Sequence, residues 1–436
     1  MVQDLALELD FPSVSGYIPK GRRNCMLSYD QALAAILKEV DPIEAEVCEL
    51  RSAHQRVLAR DIIASIDIPP FNNSSMDGYA VRADDTREAG PDRAVHLAVD
   101  GEIGAGDRST TPLRPGFARR IFTGGMISDG ADAVIEQEKV DRHGDTIVLN
   151  APVTVGKNVR IRGEDVSAGQ KILERGMRIT AARLGILASL GLNRVHVGAI
   201  PKVGILTTGN ELVDVDEPLK EGKIHDSNSY TLSSLVSETG CVPVQLGRAT
   251  DATSDLREKI QASLALDVLI TSGGVSVGDR DLVLETLKGL GAELKFWKVN
   301  IKPGMPVAFC VYRREGKSKS VLVFALPGNP VSTMVTFLKL ARPALRRLQG
   351  LISDQPGLIL TARLEEDYDK SDGKRHFARG IVRNENGELV VRKSGSQSSG
   401  VLNSLSVANC LMVIPEHVSR TPAGTLIEIE LLRELN

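Results

Sequence analysis

Three apolar runs in the second half of the chain each end in a turn of small or hydroxylated residues: Val203 to Leu206 before TTGNEL, Asp267 to Thr271 before SGGVSVG, and Val321 to Leu326 before PGNPVS. Short continuous runs rich in β-branched residues suit strands covered on both faces of a parallel sheet better than half-exposed ones. In a doubly wound sheet the carboxyl ends of such strands lie along one edge, so the three turns are expected to converge on one ligand. Ser272, Gly273 and Gly274 let backbone N–H groups approach an anion closely, and Leu282 to Leu290 reads as the following helix, with Gly291 as its stop.

Carboxylates beside a phosphate loop repel the ligand unless a hard cation such as Mg²⁺ bridges them, which gives Asp279 and Asp281 one meaning. The other is that they merely start the helix, where acids are favoured. In PGNP, Asn329 is placed to N-cap a helix with Pro330 in its first turn, running on through Met334, Phe337 and Leu340. That local reading covers Asn329 and Pro330. It does not explain why the same edge also carries Glu211, Asp226, Asp279 and Asp281.

At 436 residues the chain exceeds one ordinary core, so several domains are expected. A net charge of −3 and 4% aromatic residues make no case for nucleic acid or an anionic membrane, so any phosphate must be bound locally. Cys25, Cys48, Cys241, Cys310 and Cys410 show no CxxC spacing and argue against a zinc site or a disulfide framework. The start MVQDLALELDFPSVSG is acidic where a signal peptide is basic, and no apolar run reaches about 18 residues, so the expected location is cytoplasmic.

The fold class expected is α/β and multidomain. Residues 1–26 read as an N-terminal arm. Ser28 and Gln31 form a capping box opening a helix with Leu33, Ile36, Leu37 and Val40 on one face. Residues 27–62 and 164–198 are assigned to a small helical/β linking domain, with 27–44 left open to packing on the α/β domain instead. Between them, 63–163 reads as a β-rich inserted domain with loops at Gly101 to Pro115 and Asp141 to Asp145. A helix from the Thr180 N-cap to Gly191 turns Leu184, Leu187, Ala188 and Leu190 toward a core. The doubly wound domain occupies 199–352. A C-terminal β-barrel-like domain fills 353–436, with strands Leu358 to Leu364, Val390 to Lys393, Cys410 to Ile414 and Leu426 to Leu431. Its loop SGSQSSGVL, Ser394 to Leu402, holds too many hydroxyls and glycines for a packed strand.

The insert contains PPFNNSSMDGYAVRADD from Pro69 and RIFTGGMISDGADAVIEQE from Arg120. Asp77 before Gly78 is either a turn pair or a carboxylate presented at a loop tip. Taken in order, MDGYAV, FTGG with GADAVIEQE, RGEDVSAGQ, TTGNEL, DSN, SGGVSVGDRD, IKPG and LPGNPVS closely resemble the molybdopterin molybdenumtransferase family, which includes the E domain of gephyrin. The resemblance runs from about Leu27 onward. It implies insertion of molybdate into the dithiolene of molybdopterin, acting on the adenylylated pterin with Mg²⁺ and releasing AMP. It also implies an elongated homodimer, with the site between the doubly wound domain of one chain and the insert and C-terminal domain of the other, and contacts with other molybdenum cofactor biosynthesis proteins.

A pyrophosphate calls for Gly-rich N–H donors, here Gly209, Gly273, Gly274 and Gly328, and for a cation held by acids. Glu211, Asp251, Asp279 and Asp281 would surround Mg²⁺ or an attacking water, with Glu211, Asp279 and Asp281 as the metal ligands. The resemblance adds Thr208, Asn210, Ser227, Ser272, Ser276, Pro327, Asn329, Pro330 and Ser332 to the binding set. Lys298 and Lys302 would offset charge on phosphate or molybdate. Asp77, Thr123 and Asp165 would act across the dimer, and Arg379 with Ser398 and Ser399 would contact the oxyanion. The chain departs from the family at Met305, where many members carry a lysine, at Met126-Ile127-Ser128 in place of an Ala-Pro turn, and at Asn210, shared with the gephyrin-like branch. Alternatives are a gephyrin-like scaffold, an altered oxyanion preference, and a nucleotide or sugar-phosphate transferase. The last has neither GxxxxGK[ST] nor a GxGxxG opening the first strand.

Overall fold

The computed structural model describes residues 26–108, 110–250, 252–274, 281–314, 316, 319–352 and 358–433. The chain forms two compact units: 1–40, 202–344 and 355–436 make the first, and 41–201 with 345–354 the second. Among the described residues no helix is long and apolar enough to cross a membrane.

The first unit is built on a six-stranded sheet ordered Val242–Ala249, Lys202–Thr208, Val268–Ser272, Ser320–Leu326, Ala308–Arg313, Glu293–Trp297. The first four strands are parallel, in register through Val203 opposite Val268 and Val268 opposite Leu322. The last two add antiparallel at one edge, Ala308 opposite Ala325 and Trp297 opposite Ala308. Helices Leu282–Gly289 and Thr253–Ser263 contribute Val283, Leu287, Leu256 and Ile260 to the same core as Leu206, Leu269 and Val323. Both faces are covered, so Val203, Ile205, Val268, Leu269, Ile270, Val321, Val323 and Phe324 are fully buried, and the apolar runs have no polar alternation. From Lys202–Thr208 the chain crosses outward to Val242–Ala249 and then back to Val268–Ser272 on the other side. The strand order therefore reverses beside the TTGNEL and SGG turns, the place where open α/β sheets bind ligands.

The helix Tyr29–Lys38 belongs to this unit. Its capping box is complete, with Ser28 and Gln31 each bonding the other's backbone N–H. Its buried face is Tyr29, Ala32, Ile36 and Val40, one step round from the expected one, because Tyr29 lies edge-on to Phe377 at 5.2 Å.

The C-terminal segment closes a five-stranded barrel: Arg375–Glu385, Glu388–Lys393, Ile359–Leu364, Leu426–Leu431 and Cys410–Ile414, which returns to Arg375–Glu385. Arg375–Glu385, the longest of these, has no counterpart among the strands read from the sequence. Buried His376 and Arg379 occupy positions that look solvated in RHFARGIVRNE, and Gly380 packs against Cys410, Met412 and Val391. Barrel and helix are tied by a buried ionic cluster. Glu430, on the barrel, bonds Lys339 and Arg342 from the helical segment that follows Ser320–Leu326. Lys339 sits in a π-helical turn, Phe337–Ala341, with its ammonium 4.7 Å from the Phe377 ring centre.

In the second unit Ala45–Glu49 pairs with Arg194–Gly198, and Ala53, Leu58, Leu173, Ile179, Leu187, Val195 and Val197 share one core. The helix is Ala181–Ser189, capped by Thr180 as expected, but Ala188 is exposed while Ile186 joins the core. Residues between form a sheet ordered Ala133–Glu136, Gly78–Val81, Phe117–Ile121, Val95–Ile103, Thr146–Leu149, Asp141–His143. The expected loop at Asp141 to Asp145 is a tight hairpin, and Gly101 to Ile103 ends a long strand before the loop proper begins.

Burial pushes the Glu430 carboxyl up, but Lys339 and Arg342 outweigh it and hold it below the ordinary value. A depressed folded pKa contributes stability that is complete above the unfolded value and drains as pH falls through the folded one. Thermal stability of the wild type should therefore drop below about pH 4. Glu430→Ala, which strips a buried carboxylate from two cations, should lose about 3–5 kcal/mol in urea unfolding at neutral pH. A loss under about 1 kcal/mol would mean that apolar contacts alone dock the barrel.

Candidate active site

The carboxyl edge of the parallel sheet opens into a cavity of about 410 Å³ lined by Thr208, Glu211, Asp226, Ser227, Asn228, Ser272, Pro306, Pro327, Gly328, Asn329 and Pro330, among others. The three turns thus meet, as their strands require. Asn228 braces them: its Nδ2 donates to Ser272 Oγ at 2.9 Å and to the Gly328 carbonyl at 2.7 Å. Asp226 is buried and accepts from Thr207 Oγ1 at 2.7 Å and from the Ser229 N–H at 3.1 Å, which fixes the start of the helix Asn228–Glu238. The Asp226-Ser227-Asn228 run was legible as a motif, yet only Ser227 entered the expected binding set. Nothing in a single sequence reveals that Asn228 spans two loops.

Gly273 and Gly274 adopt φ of +92° and +68°, and a Cβ on Gly273 would lie 2.3 Å from the Thr208 carbonyl oxygen. Any side chain there would force the first and second turns apart. Gly328 packs on Gly273 at ordinary contact distance, and Glu211 folds its carboxylate over Gly209. The Asn210 carbonyl accepts from Lys223 Nζ. Ser332 is buried inside its helix, where its carbonyl accepts from Thr336 Oγ1, and it does not line the cavity. Thr208 Oγ1 is buried with no hydrogen-bond partner among the described residues.

Asp281 caps the helix Leu282–Gly289, its Oδ1 accepting from the Leu284 N–H at 3.0 Å. The helix-start reading of this residue is therefore real. It leaves Oδ2 buried and without a partner among the described residues, and burial raises the carboxyl's pKa. Asp251, Ser276 and Asp279 lie outside the described residues. Asn329 begins its helix without capping it through the side chain. Its Nδ2 instead donates to Ser399 Oγ at 3.0 Å, and the Val331 N–H reaches the Ser399 carbonyl at 3.2 Å.

That contact leads to a second cavity, about 610 Å³, on the barrel. Lys302, Lys370, Arg379 and Lys393 line it against the carboxylates of Asp369 and Asp372, with Tyr368, His376, Gln397 and Ser398 completing the wall. Arg379 is buried, and its guanidinium donates to Ser404 Oγ and to the carbonyls of Ser396 and Ser398, anchoring the SGSQSSGVL loop. Lys370 donates to the Lys374 and Glu416 carbonyls. Neither donates to a carboxylate in these contacts, and burial pushes both pKa values down, although at Lys370 the Asp372 and Glu416 carboxylates act against it. Sequence reasoning found Arg379, Ser398 and Lys302 but not Lys370, Asp372 or His376, because the strand that displays His376 was not recognised. Lys298, expected beside Lys302, stands apart with its ammonium 4.0 Å from the Trp297 ring centre, and lines neither cavity. At the Met305 departure the carbonyl accepts from the Val299 and Val307 N–H groups.

In the second unit Asp77 and Thr123 are brought together: Asp77 Oδ1 accepts from the Thr123 N–H and Oγ1, both at 2.7 Å. These bonds, the backbone one first, lower the exposed carboxyl's pKa. Gly78 is not a turn residue but opens a strand so close to its neighbour that a Cβ would sit 1.8 Å from the Ile135 carbonyl. Asp165 is exposed, its N–H bonded to the Ile68 carbonyl.

Residues 27–191 match the MoeA N-terminal region (domain I and II), 204–347 a probable molybdopterin binding domain, and 361–432 the MoeA C-terminal region (domain IV). The chain is 37% identical to a molybdopterin molybdenumtransferase of Haemophilus influenzae over 93% of its own length and 98% of the relative's. It is 33% identical to one from Bacillus subtilis, over 93% and 94%. A crystal structure of the molybdopterin biosynthesis moeA protein from Pyrococcus horikoshii OT3 superposes with a TM-score of 0.79 at 32% identity, covering 93% of this chain and all of that one. Similarity at this level across both units leaves one assignment: the chain belongs to the molybdopterin molybdenumtransferase family.

Proposed function

We propose that the protein inserts molybdenum from molybdate into the dithiolene of molybdopterin, acting on the adenylylated pterin with Mg²⁺ and releasing AMP, as a step of molybdenum cofactor biosynthesis. The observation that carries this reading is the hydrogen bond from Asn329, which lines one cavity, to Ser399, the neighbour of Ser398 in the wall of a second, unlike cavity. One has glycine backbone and hydroxyl donors suited to a pyrophosphate. The other has a surplus of cationic side chains suited to a tetrahedral dianion.

The donor chemistry also fits Mg²⁺. Among the described residues no three His, Cys, Asp or Glu side chains cluster as a metal cage, which suits an ion that keeps waters and takes one or two carboxylates plus substrate phosphates. The free Oδ2 of Asp281, Glu211 and the Thr208 hydroxyl would supply hard oxygen donors, and the ion would neutralise charge developing on the phosphates. The chain's own contribution is orientation. Asn228 locks the SGG and PGNP turns together, the helix cap fixes the Asp281 carboxylate, and Arg379 sets the loop that carries Ser398 and Ser399. The Asp77 and Thr123 pair ties two stretches of the second unit together and leaves Asp77 exposed, and in the proposed homodimer it would complete the site of the partner subunit.

The direct test is AMP release from adenylylated molybdopterin by purified protein. Release should require molybdate. An equal rate without it would reduce the activity to hydrolysis, and no release would favour a scaffold.

Asp281→Asn keeps a capping oxygen and loses the charge, so it should unfold within about 0.5 kcal/mol of wild type yet release AMP at least about tenfold more slowly. Asp281→Ala should also lose about 1 kcal/mol of stability. Full activity in the Asn variant would reduce Asp281 to a helix cap.

Mixing inactive Asp77→Asn chains with inactive Glu211→Gln chains should restore a fraction of wild-type activity, because some heterodimers would hold one undamaged site. Demonstrated subunit exchange with no recovery would refute a shared site.

A further inference from the structure

Lys302 does not reach the barrel cavity as a free tether. Its strand, Ile301–Lys302, zips parallel to the start of Arg375–Glu385, with Ile301 opposite Arg375 and Lys302 opposite His376. From there Lys302 Nζ donates to Asp372 Oδ2 at 3.1 Å. The same carboxylate takes His376 Nε2 at 2.8 and 3.0 Å on its two oxygens and the Lys374 N–H at 3.3 Å. On the far side of the ring, His376 Nδ1 lies 2.9 Å from the Tyr368 hydroxyl.

The directions in this chain are forced. The contacts to His376, Lys302 and the Lys374 N–H hold the Asp372 carboxyl well below the usual range despite burial, so it is an acceptor only. Nε2 therefore carries the ring proton. In the neutral ring Nδ1, 2.9 Å from the Tyr368 hydroxyl, is left to accept the Tyr368 O–H, and burial, which lowers the His376 pKa, favours that form. His376 and Tyr368 are both buried, whereas the Lys302 side chain is 54% exposed. A rigid pair thus presents one carboxylate to one exposed ammonium in a cavity whose wall also holds Lys370, Arg379, Lys393 and Asp369.

We propose that Asp372, held by His376, is a built-in counter-anion of the barrel cavity that occupies Lys302 until a tetrahedral dianion displaces it, and so sets how tightly the cavity takes the oxyanion. This rests on the reading of that cavity as the molybdate site. His376 is a positioning residue. Its N–H stabilises the Asp372 charge once Lys302 turns to the incoming anion, which lowers the barrier to the exchange of partners.

The test is equilibrium dialysis of the full-length protein against molybdate. Asp372→Asn removes a unit charge at the edge of the cavity. At about 6 Å from a dianion that charge is worth roughly a factor of ten in affinity even at the dielectric of water, so molybdate should bind about tenfold more tightly. His376→Phe keeps the ring volume but removes the donor, leaving Asp372 to cling to Lys302, so binding should weaken several-fold. His376→Gln, whose amide can donate from near the Nε2 position, should restore it. In the Asp372→Asn background His376→Phe should have no further effect. Unchanged or weaker binding by Asp372→Asn overturns the proposal, as does a His376→Phe effect that persists in the double variant. If His376→Phe fails to fold, Asp372→Asn alone decides. Wild-type protein that takes up no molybdate would instead sink the oxyanion reading, and this inference with it.

Discussion

Burial of the parallel strands on both faces is the constraint from which the rest follows. A strand with no polar face has nowhere to place functional groups except its ends. Lys202–Thr208, Val268–Ser272 and Ser320–Leu326 therefore deliver Thr208, Glu211, Ser272, Gly328 and Asn329 to a single rim. Thr208 and Gly273 then come so close that position 273 has no room for a side chain. The reversal of strand order at that rim opens the gap that the turns line.

Much of this was legible in the sequence because it is local. Apolar continuity marks the strands, and Ser28 with Gln31, Thr180, and Gly291 mark helix limits through short-range bonding that the structure contains. What was not legible depends on tertiary neighbours. Arg375–Glu385 escapes notice because its polar side chains are buried on tertiary partners, Arg379 on Ser404 and His376 on Asp372 and Tyr368. Asn329 looks like a cap and instead crosses to Ser399. Asp281 looks like either a cap or a ligand, and its two oxygens have separate fates.

The two cavities depend on different electrostatics. Around the SGG turn, the donors are neutral backbone and hydroxyl groups that acquire polarity from geometry. In the barrel, four cationic side chains face two carboxylates across the cavity, and Asp372, which accepts from Lys302, is itself committed to a histidine. Glu430 clamps the barrel to the helix that starts at Pro330, so the same element that begins beside Asn329 also anchors the barrel wall.

Arg379 and Lys370 are buried and end on carbonyl and hydroxyl oxygens rather than on acids. Screening by salt acts over about 8 Å of water at physiological ionic strength and barely reaches such groups. Their share of the charge in the barrel cavity is therefore set by the fold and is less sensitive to ionic strength than that of the exposed Lys302. A patch of surface lysines would lose most of its pull as salt rises. The buried pair loses less of its pull under the same conditions.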